Sequence, residues 1–280
     1  MIDTVLFDIG GTLITQTHNP RRALINARFF REVLSEQGIN IDMSDEEFAR
    51  YIQEGGEAYK HRGEDSKTEL QPVTIWKDYI LKSLDIPEEK IEPIAELLSF
   101  CNDYIRLENH ARPGMKEMLE ELKAMGMKIG VITNTISMSF ADHILKETNV
   151  ETYFQDIVKS CETGIRKPDK RIFDIAMERI GATPETTCYV GDTISRDVLG
   201  SRNAGLAMCI LIHNPAVAHR DKDFHGPDAP KPDYTIDELT EIPEIIRQYN
   251  QHNQFNQHSQ YNQYNQHNKE NHKDKGQERP

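Results

Sequence analysis

Polar groups able to do chemistry sit at the ends of several short apolar runs in this chain. Asp8 follows Thr-Val-Leu-Phe at 4–7 and is itself followed by Ile-Gly-Gly. Thr133 and Asn134 follow Gly-Val-Ile, Lys167 lies in Ser-Cys-Glu-Thr-Gly-Ile-Arg-Lys-Pro-Asp, and Asp192 and Asp197 lie in Tyr-Val-Gly-Asp-Thr-Ile-Ser-Arg-Asp. Taken singly, each has an ordinary explanation as a turn, a solvated lysine or a cap. Taken together, they supply the parts of phosphoryl transfer. A carboxylate such as Asp8 can attack phosphorus and divide the displacement into two steps through an aspartyl-phosphate. Two anions repel on that approach, and a divalent cation held by acidic side chains removes the penalty. Asp8 and Asp192, with the Gly10 carbonyl, offer the hard oxygen ligands that Mg²⁺ prefers. The Thr133 hydroxyl, the Asn134 amide and the Lys167 ammonium would hold the equatorial oxygens, whose charge grows in the transition state. Gly10 and Gly11 lack a Cβ, so their backbone groups can approach a phosphate held beside Asp8.

These groups need a frame that brings distant segments to one edge. Thr4–Phe7 reads as a buried strand ended by the glycine loop. From Arg112 onward strands and amphipathic helices alternate, the signature of parallel βαβ units, in which ligand groups collect at the carboxyl ends of the strands. Strands are expected near 128–133, 156–160, 187–191, 206–213 and 233–236, and helices near 113–126, 137–147, 170–180, 195–204 and 241–249. Residues 16–107 read as helices only. Ile25, Phe29, Val33 and Leu34 mark one face of the first, and Ser44 with Glu47 forms a capping box for the second, which Gly55-Gly56 weakens. Lys60 to Gln71 reads as a mobile loop, and Pro72 opens the next helix. The expected organisation is an α/β core over 1–15 and 108–249, a helical cap over 16–107, and a disordered tail rich in Asn, Gln and His over 250–280. Weak divalent-metal binding by the tail histidines His252, His258, His267 and His272 is less expected than compositional drift.

The chain of 280 residues carries a formal charge of −13, which argues against broad binding to nucleic acid or to anionic membrane. No apolar run reaches the roughly 20 residues of a membrane span, and no secretory signal is visible at Met1. Cys101, Cys161, Cys188 and Cys209 are scattered without metal-ligand spacing, which fits a reducing cytoplasm. Nothing in the sequence fixes an oligomeric state.

The four segments, in this order and with a helical insert after the first, resemble the haloacid dehalogenase superfamily of aspartate-nucleophile hydrolases. The resemblance covers nearly all of residues 1–249. It implies a doubly wound parallel sheet with a helical cap, Asp8 as nucleophile, Thr133 and Lys167 as phosphate-binding groups, Asp192 as metal ligand, and Asp197 as support for the metal shell. The chain departs from most phosphatases of that family at Gly10, where they carry a second Asp. That acid protonates the leaving oxygen and activates water, work worth ~10² to 10⁴ in rate.

Three accounts follow from the missing acid. The substrate has a good leaving group, such as an aryl or acyl phosphate; a cap residue, with His18, His61, Glu64 and Asp65 as candidates, supplies the acid; or the chain binds phosphorylated ligands with little turnover, as a regulatory protein. Dehalogenases and phosphonate hydrolases of the superfamily also lack the second acid. The former need no metal, so Asp192 and Asp197 favour phosphate. The latter need an imine-forming cap lysine, for which Lys60, Lys67, Lys77 and Lys82 are available. Asp-Ile-Gly-Gly-Thr also resembles the first phosphate loop of actin-like sugar kinases, but no second glycine-rich phosphate loop or adenosine-binding segment accompanies it.

Overall fold

The computed structural model describes residues 1–224 and 226–255. Its strands are β1 Thr4–Phe7, β2 Ile14–His18, β3 Leu107–Ala111, β4 Lys128–Thr133, β5 Asp156–Lys159, β6 Thr187–Gly191, β7 Met208–Ile212 and β8 Tyr234–Ile236. Six of them form one parallel sheet in the order β5-β4-β1-β6-β7-β8. β1 lies at the centre, and Phe7 is level with Val131 on one side and Val190 on the other. That register puts Asp8, Thr133 and Asp192 at one edge of the sheet.

Successive residues of β1 serve opposite faces, as strand geometry requires. Val5 and Phe7 pack with Met118, Leu122 and Ile144 from α6 (Met115–Ala124) and α7 (Phe140–Glu147), while Leu6 packs with Phe173 and Met177 from α9 (Lys170–Ile180). The sheet is therefore covered on both faces, the doubly wound α/β arrangement expected from the strand and helix alternation. A short helix, α8 (Ser160–Thr163), follows β5, and α10 (Leu199–Asn203) follows β6.

Between β2 and β3 run α1 (Pro20–Glu36), α2 (Asp45–Ser66), α3 (Pro72–Ile75), α4 (Glu88–Ile91) and α5 (Ala95–Tyr104). They enclose a separate apolar cluster around Phe30, Trp76, Ile91 and Leu98. Trp76 stands edge-on to Phe30 with ring centroids 5.0 Å apart and donates its indole N–H to Ser99 Oγ at 2.8 Å. The Ser44–Glu47 capping box is present.

Four details of this segment differ from the sequence expectation. Residues 16–18 and Leu107 are not helical but pair in an antiparallel ribbon, His18 opposite Leu107 and Ile14 opposite Ala111, at both ends of the insert. Ile25 is 50% exposed, and the buried face of α1 runs instead through Asn26, Ala27, Phe30, Val33 and Leu34. Helix α2 does not weaken at Gly55-Gly56. A Cβ at Gly55 would lie 2.6 Å from Ile80 Cα, so the glycine allows close backbone packing that offsets its poor helix propensity. Lys60 to Ser66 consequently belong to α2 rather than to a mobile loop.

The last helix, α11, covers 242–255, longer than expected. Residues 250–255 are thus helical rather than disordered, because Asn250 accepts from Ile2 N at 2.6 Å and donates to Ile2 O at 2.8 Å, tying the helix to the start of β1. The rest of the Asn, Gln and His tract, with His258, His267 and His272, lies outside the described residues. All four cysteines are free and buried. No helix among the described residues is long and apolar enough to cross a membrane.

Candidate active site

Asp8 ends β1 and is buried at the floor of a cavity of about 530 Å³ between the sheet edge and the inserted helices. Its Oδ1 accepts a hydrogen bond from Lys167 Nζ at 2.7 Å. The same ammonium donates to Asp197 Oδ1 at 2.8 Å and to Tyr189 OH at 2.7 Å, so all three of its protons are placed. Asp197 is saturated: Oδ1 also accepts from Tyr189 OH at 3.1 Å, and Oδ2 accepts from Thr193 N at 3.0 Å and Thr193 Oγ1 at 2.5 Å. Burial alone would raise the Asp197 pKa, but Lys167, Arg196 and these hydrogen bonds hold it at about 2.

Asp192 follows β6 and is treated differently. Its Oδ2 accepts from Asn214 Nδ2 at 2.8 Å, while Oδ1 is buried with no hydrogen-bond partner. Burial, followed by the charges of Asp197 and Asp8, pushes its pKa to about 7. Burial also raises Asp8, against the pull of Lys167. Carboxylate oxygens of Asp8, Asp192 and Asp197 lie within 4.8 Å of one another. An orphaned buried oxygen amid like charges is the donor set a hard divalent cation suits. Asp8 and Asp192 could hold it, because the oxygens of Asp197 are already engaged.

The cavity also gathers Thr133, Asn134, Gly10, Gly11 and Lys167. The hydrogen bonds of two of these bear on their expected roles. Asn134 accepts from Lys167 N at 2.9 Å and donates one Nδ2 proton to Lys167 O at 3.1 Å, so its amide anchors the lysine loop and keeps a second N–H. The Gly11 N–H donates to Ile14 O at 2.7 Å and is likewise engaged. What Gly11 provides is space: it has φ +91°, and a Cβ there would lie 1.9 Å from Asp192 Oδ2. Gly11→Ala should therefore misplace Asp192 and weaken Mg²⁺ binding at least about tenfold, measured by titration calorimetry, with unchanged affinity as the contrary result.

Several groups here gave no warning in the sequence. Arg112 donates to the carbonyls of Thr12 (2.8 Å) and Gly11, fixing the loop after β1. Arg196 and Arg220 line the cavity without a carboxylate partner at ion-pair distance among the described residues. Glu69, between α2 and α3, is buried against Tyr59 OH, Ser160 Oγ (2.6 Å) and Arg166, the neighbour of Lys167. Of the expected substitute acids only His18 lines the cavity, and of the cap lysines only Lys60 does.

The raised Asp192 pKa makes a stability prediction for the cation-free protein. A carboxyl whose folded pKa lies above its ordinary 3.8 destabilises the fold progressively between about pH 4 and 7, and fully above that range. With chelator present, Asp192→Asn should raise stability at pH 8 by roughly 1 to 4 kcal/mol, and by little at pH 4. Thermal or urea melts at the two pH values check this, and a variant less stable at pH 8 would contradict it.

Comparison with known proteins places this geometry. The profile of the haloacid dehalogenase-like hydrolases matches residues 2–205. Glyceraldehyde 3-phosphate phosphatase of Methanopyrus kandleri is 27% identical over 243 residues, 86% of this chain and 96% of that protein. Pyrimidine 5'-nucleotidase YjjG of Escherichia coli is 33% identical over 181 residues, 60% of this chain and 76% of that one. The solved 2-haloacid dehalogenase of Pseudomonas syringae pv. Tomato superposes with a TM-score of 0.57 at 23% identity, covering 89% of this chain and all of the other, and so shares the fold. With a family profile matching most of its length and a six-stranded parallel sheet of the same architecture, the chain belongs to the haloacid dehalogenase-like hydrolase family.

Proposed function

We propose that this hydrolase is a Mg²⁺-dependent phosphatase that removes the phosphoryl group of small phosphorylated compounds through an aspartyl-phosphate on Asp8. The observation that carries the reading is the pairing of Asp8 with Lys167 beside the unpartnered oxygen of Asp192. The phosphatase and nucleotidase names of the relatives above agree with it. Residues 16–107, which hold helices α1–α5 and part of the β2–β3 ribbon, would serve as the cap that selects the substrate, over the core of 1–15 and 108–249. A cytoplasmic setting accords with the free cysteines.

Held by Asp8 and Asp192 with the Gly10 carbonyl, the cation would offset the repulsion between carboxylate and phosphate and polarise the phosphoryl oxygens. The chain's own residues do the rest. Asp8 attacks phosphorus in line with the leaving oxygen, and Lys167, fixed by Asp197 and Tyr189, meets the charge growing on the phosphoryl oxygens. The Thr133 hydroxyl, at the end of β4, faces the same cavity. Arg196 and Arg220 add positive charge to its wall. Because Gly10 carries no acid, the leaving oxygen departs as an anion, so aryl and acyl phosphates should turn over faster than alkyl phosphates. A panel assay tests this: phosphate release that requires Mg²⁺ and favours good leaving groups is expected, whereas binding without release would make the chain a phosphate-ligand sensor.

One observation favours a second reading, phosphonate cleavage through an imine. Lys60 on α2 lines the cavity, and burial, with Arg220 and Arg196 nearby, lowers its pKa. A lysine so placed is a better nucleophile toward a carbonyl. Borohydride reduction in the presence of a phosphonate aldehyde would fix the substrate carbon to Lys60 on this reading. An unlabelled Lys60 would leave the phosphatase.

A further inference from the structure

Gly10 is not demanded by its backbone, because its φ lies outside the left-handed region that favours glycine. A side chain there would meet Gln16: a Cβ at position 10 would lie 2.8 Å from Gln16 Oε1 and 3.5 Å from its Cδ. Gln16 stands on β2 and lines the cavity that holds Asp8. Its orientation is set by a chain of hydrogen bonds. Asn109, directly opposite on β3, donates Nδ2 to Tyr104 O at 3.0 Å, and a carbonyl can only accept. Asn109 Oδ1 must then face Gln16, where it accepts Nε2 at 2.9 Å. That leaves Gln16 Oε1 as the end turned toward Gly10, a fixed acceptor without acidity.

We propose that Gln16 Oε1 holds the water that hydrolyses the aspartyl-phosphate on Asp8; the proposal rests on the phosphatase reading above. Water donates one O–H to Gln16 as a hydrogen bond, and its oxygen lone pair forms the new P–O bond. The bond between phosphorus and Asp8 oxygen breaks with its electron pair returning to Asp8 as carboxylate. Both water protons leave with the product as dihydrogen phosphate, so charge and atoms balance without a general base. The amide orients the nucleophile for the second step only, and the first step keeps the rate set by the leaving group.

Rapid mixing of the full chain with 4-nitrophenyl phosphate and Mg²⁺ separates the two steps. Gln16→Ala, shown by its melt to be folded, should keep the nitrophenolate burst rate, approach one equivalent released per chain, and lower steady-state turnover about 10- to 100-fold. Gln16→Glu keeps an acceptor oxygen but loses the N–H that Asn109 Oδ1 accepts, so it should restore turnover in part and add a limb that rises as the new carboxyl ionises, because it can take a proton from the water. A Gln16→Ala enzyme that turns over like the wild type, or that loses burst and steady state equally, overturns the assignment while leaving the phosphatase reading intact. A wild-type chain that releases no phosphate at all overturns both.

Discussion

Asp8→Asn should abolish phosphate release, with a fall of at least about 10⁴-fold, while leaving the protein folded. An amide cannot displace at phosphorus as a carboxylate does, and of the three clustered carboxylates Asp8 is the one that lines the cavity. Asp192 has Oδ2 held by Asn214 and its bare Oδ1 buried, where it suits a cation, and both oxygens of Asp197 are committed to Lys167, Tyr189 and Thr193. Groups that act as a unit in catalysis show losses of this size when the nucleophile is removed. Stability should move the other way. Burial raises the Asp8 pKa, so the charged form destabilises the cation-free fold above the ordinary carboxylate range. The Asn variant should therefore melt no lower than the wild type at pH 8 in chelator. Residual turnover within tenfold of the wild type would remove Asp8 from the chemistry.

Lys167→Met should be severe in both respects. The ammonium is buried between Asp8 and Asp197, and removing it leaves two carboxylates facing each other without the charge that joins them. Breaking such a buried pair costs about 3 to 5 kcal/mol near neutral pH. The loss should shrink as pH falls, because protonating either carboxyl relieves the repulsion. Lys167→Met with Asp197→Asn should recover much of the stability but not the activity, since the phosphoryl oxygens would still lack the ammonium. Urea melts of single and double variants check the first part, and turnover numbers the second. A Lys167→Met protein as stable and as active as the wild type would contradict both.

The strand ends were readable because they depend on local pattern. Thr4–Phe7, Lys128–Thr133 and Thr187–Gly191 are apolar runs cut off by polar groups, and parallel pairing then sets Asp8, Thr133 and Asp192 at one edge regardless of side-chain detail. What a polar group bonds to is a different matter. Asn134 and Gly11 sit where the strand pattern puts them, yet Asn134 gives one amide proton and its oxygen to Lys167 and the Gly11 N–H goes to Ile14, partners fixed only by tertiary packing. Gln16, Asn214 and Arg220 are single polar residues in a ribbon and in connecting segments, with no periodicity to single them out. The helix through Gly55-Gly56 defied its composition because the backbone of Ile80 lies against Gly55, a contact between residues 25 positions apart. The start of the C-terminal tract is helical against its composition for a related reason: Asn250 pairs with the backbone of Ile2, at the far end of the chain.

The most direct measurement is to quench the enzyme in acid during turnover of a phosphorylated substrate and map the covalent phosphoryl group by peptide mass spectrometry. A phosphoryl group on the peptide carrying Asp8, absent without Mg²⁺ and absent in Asp8→Asn, is the predicted result. Full turnover with an unmodified Asp8, or with the label on another residue, would contradict it.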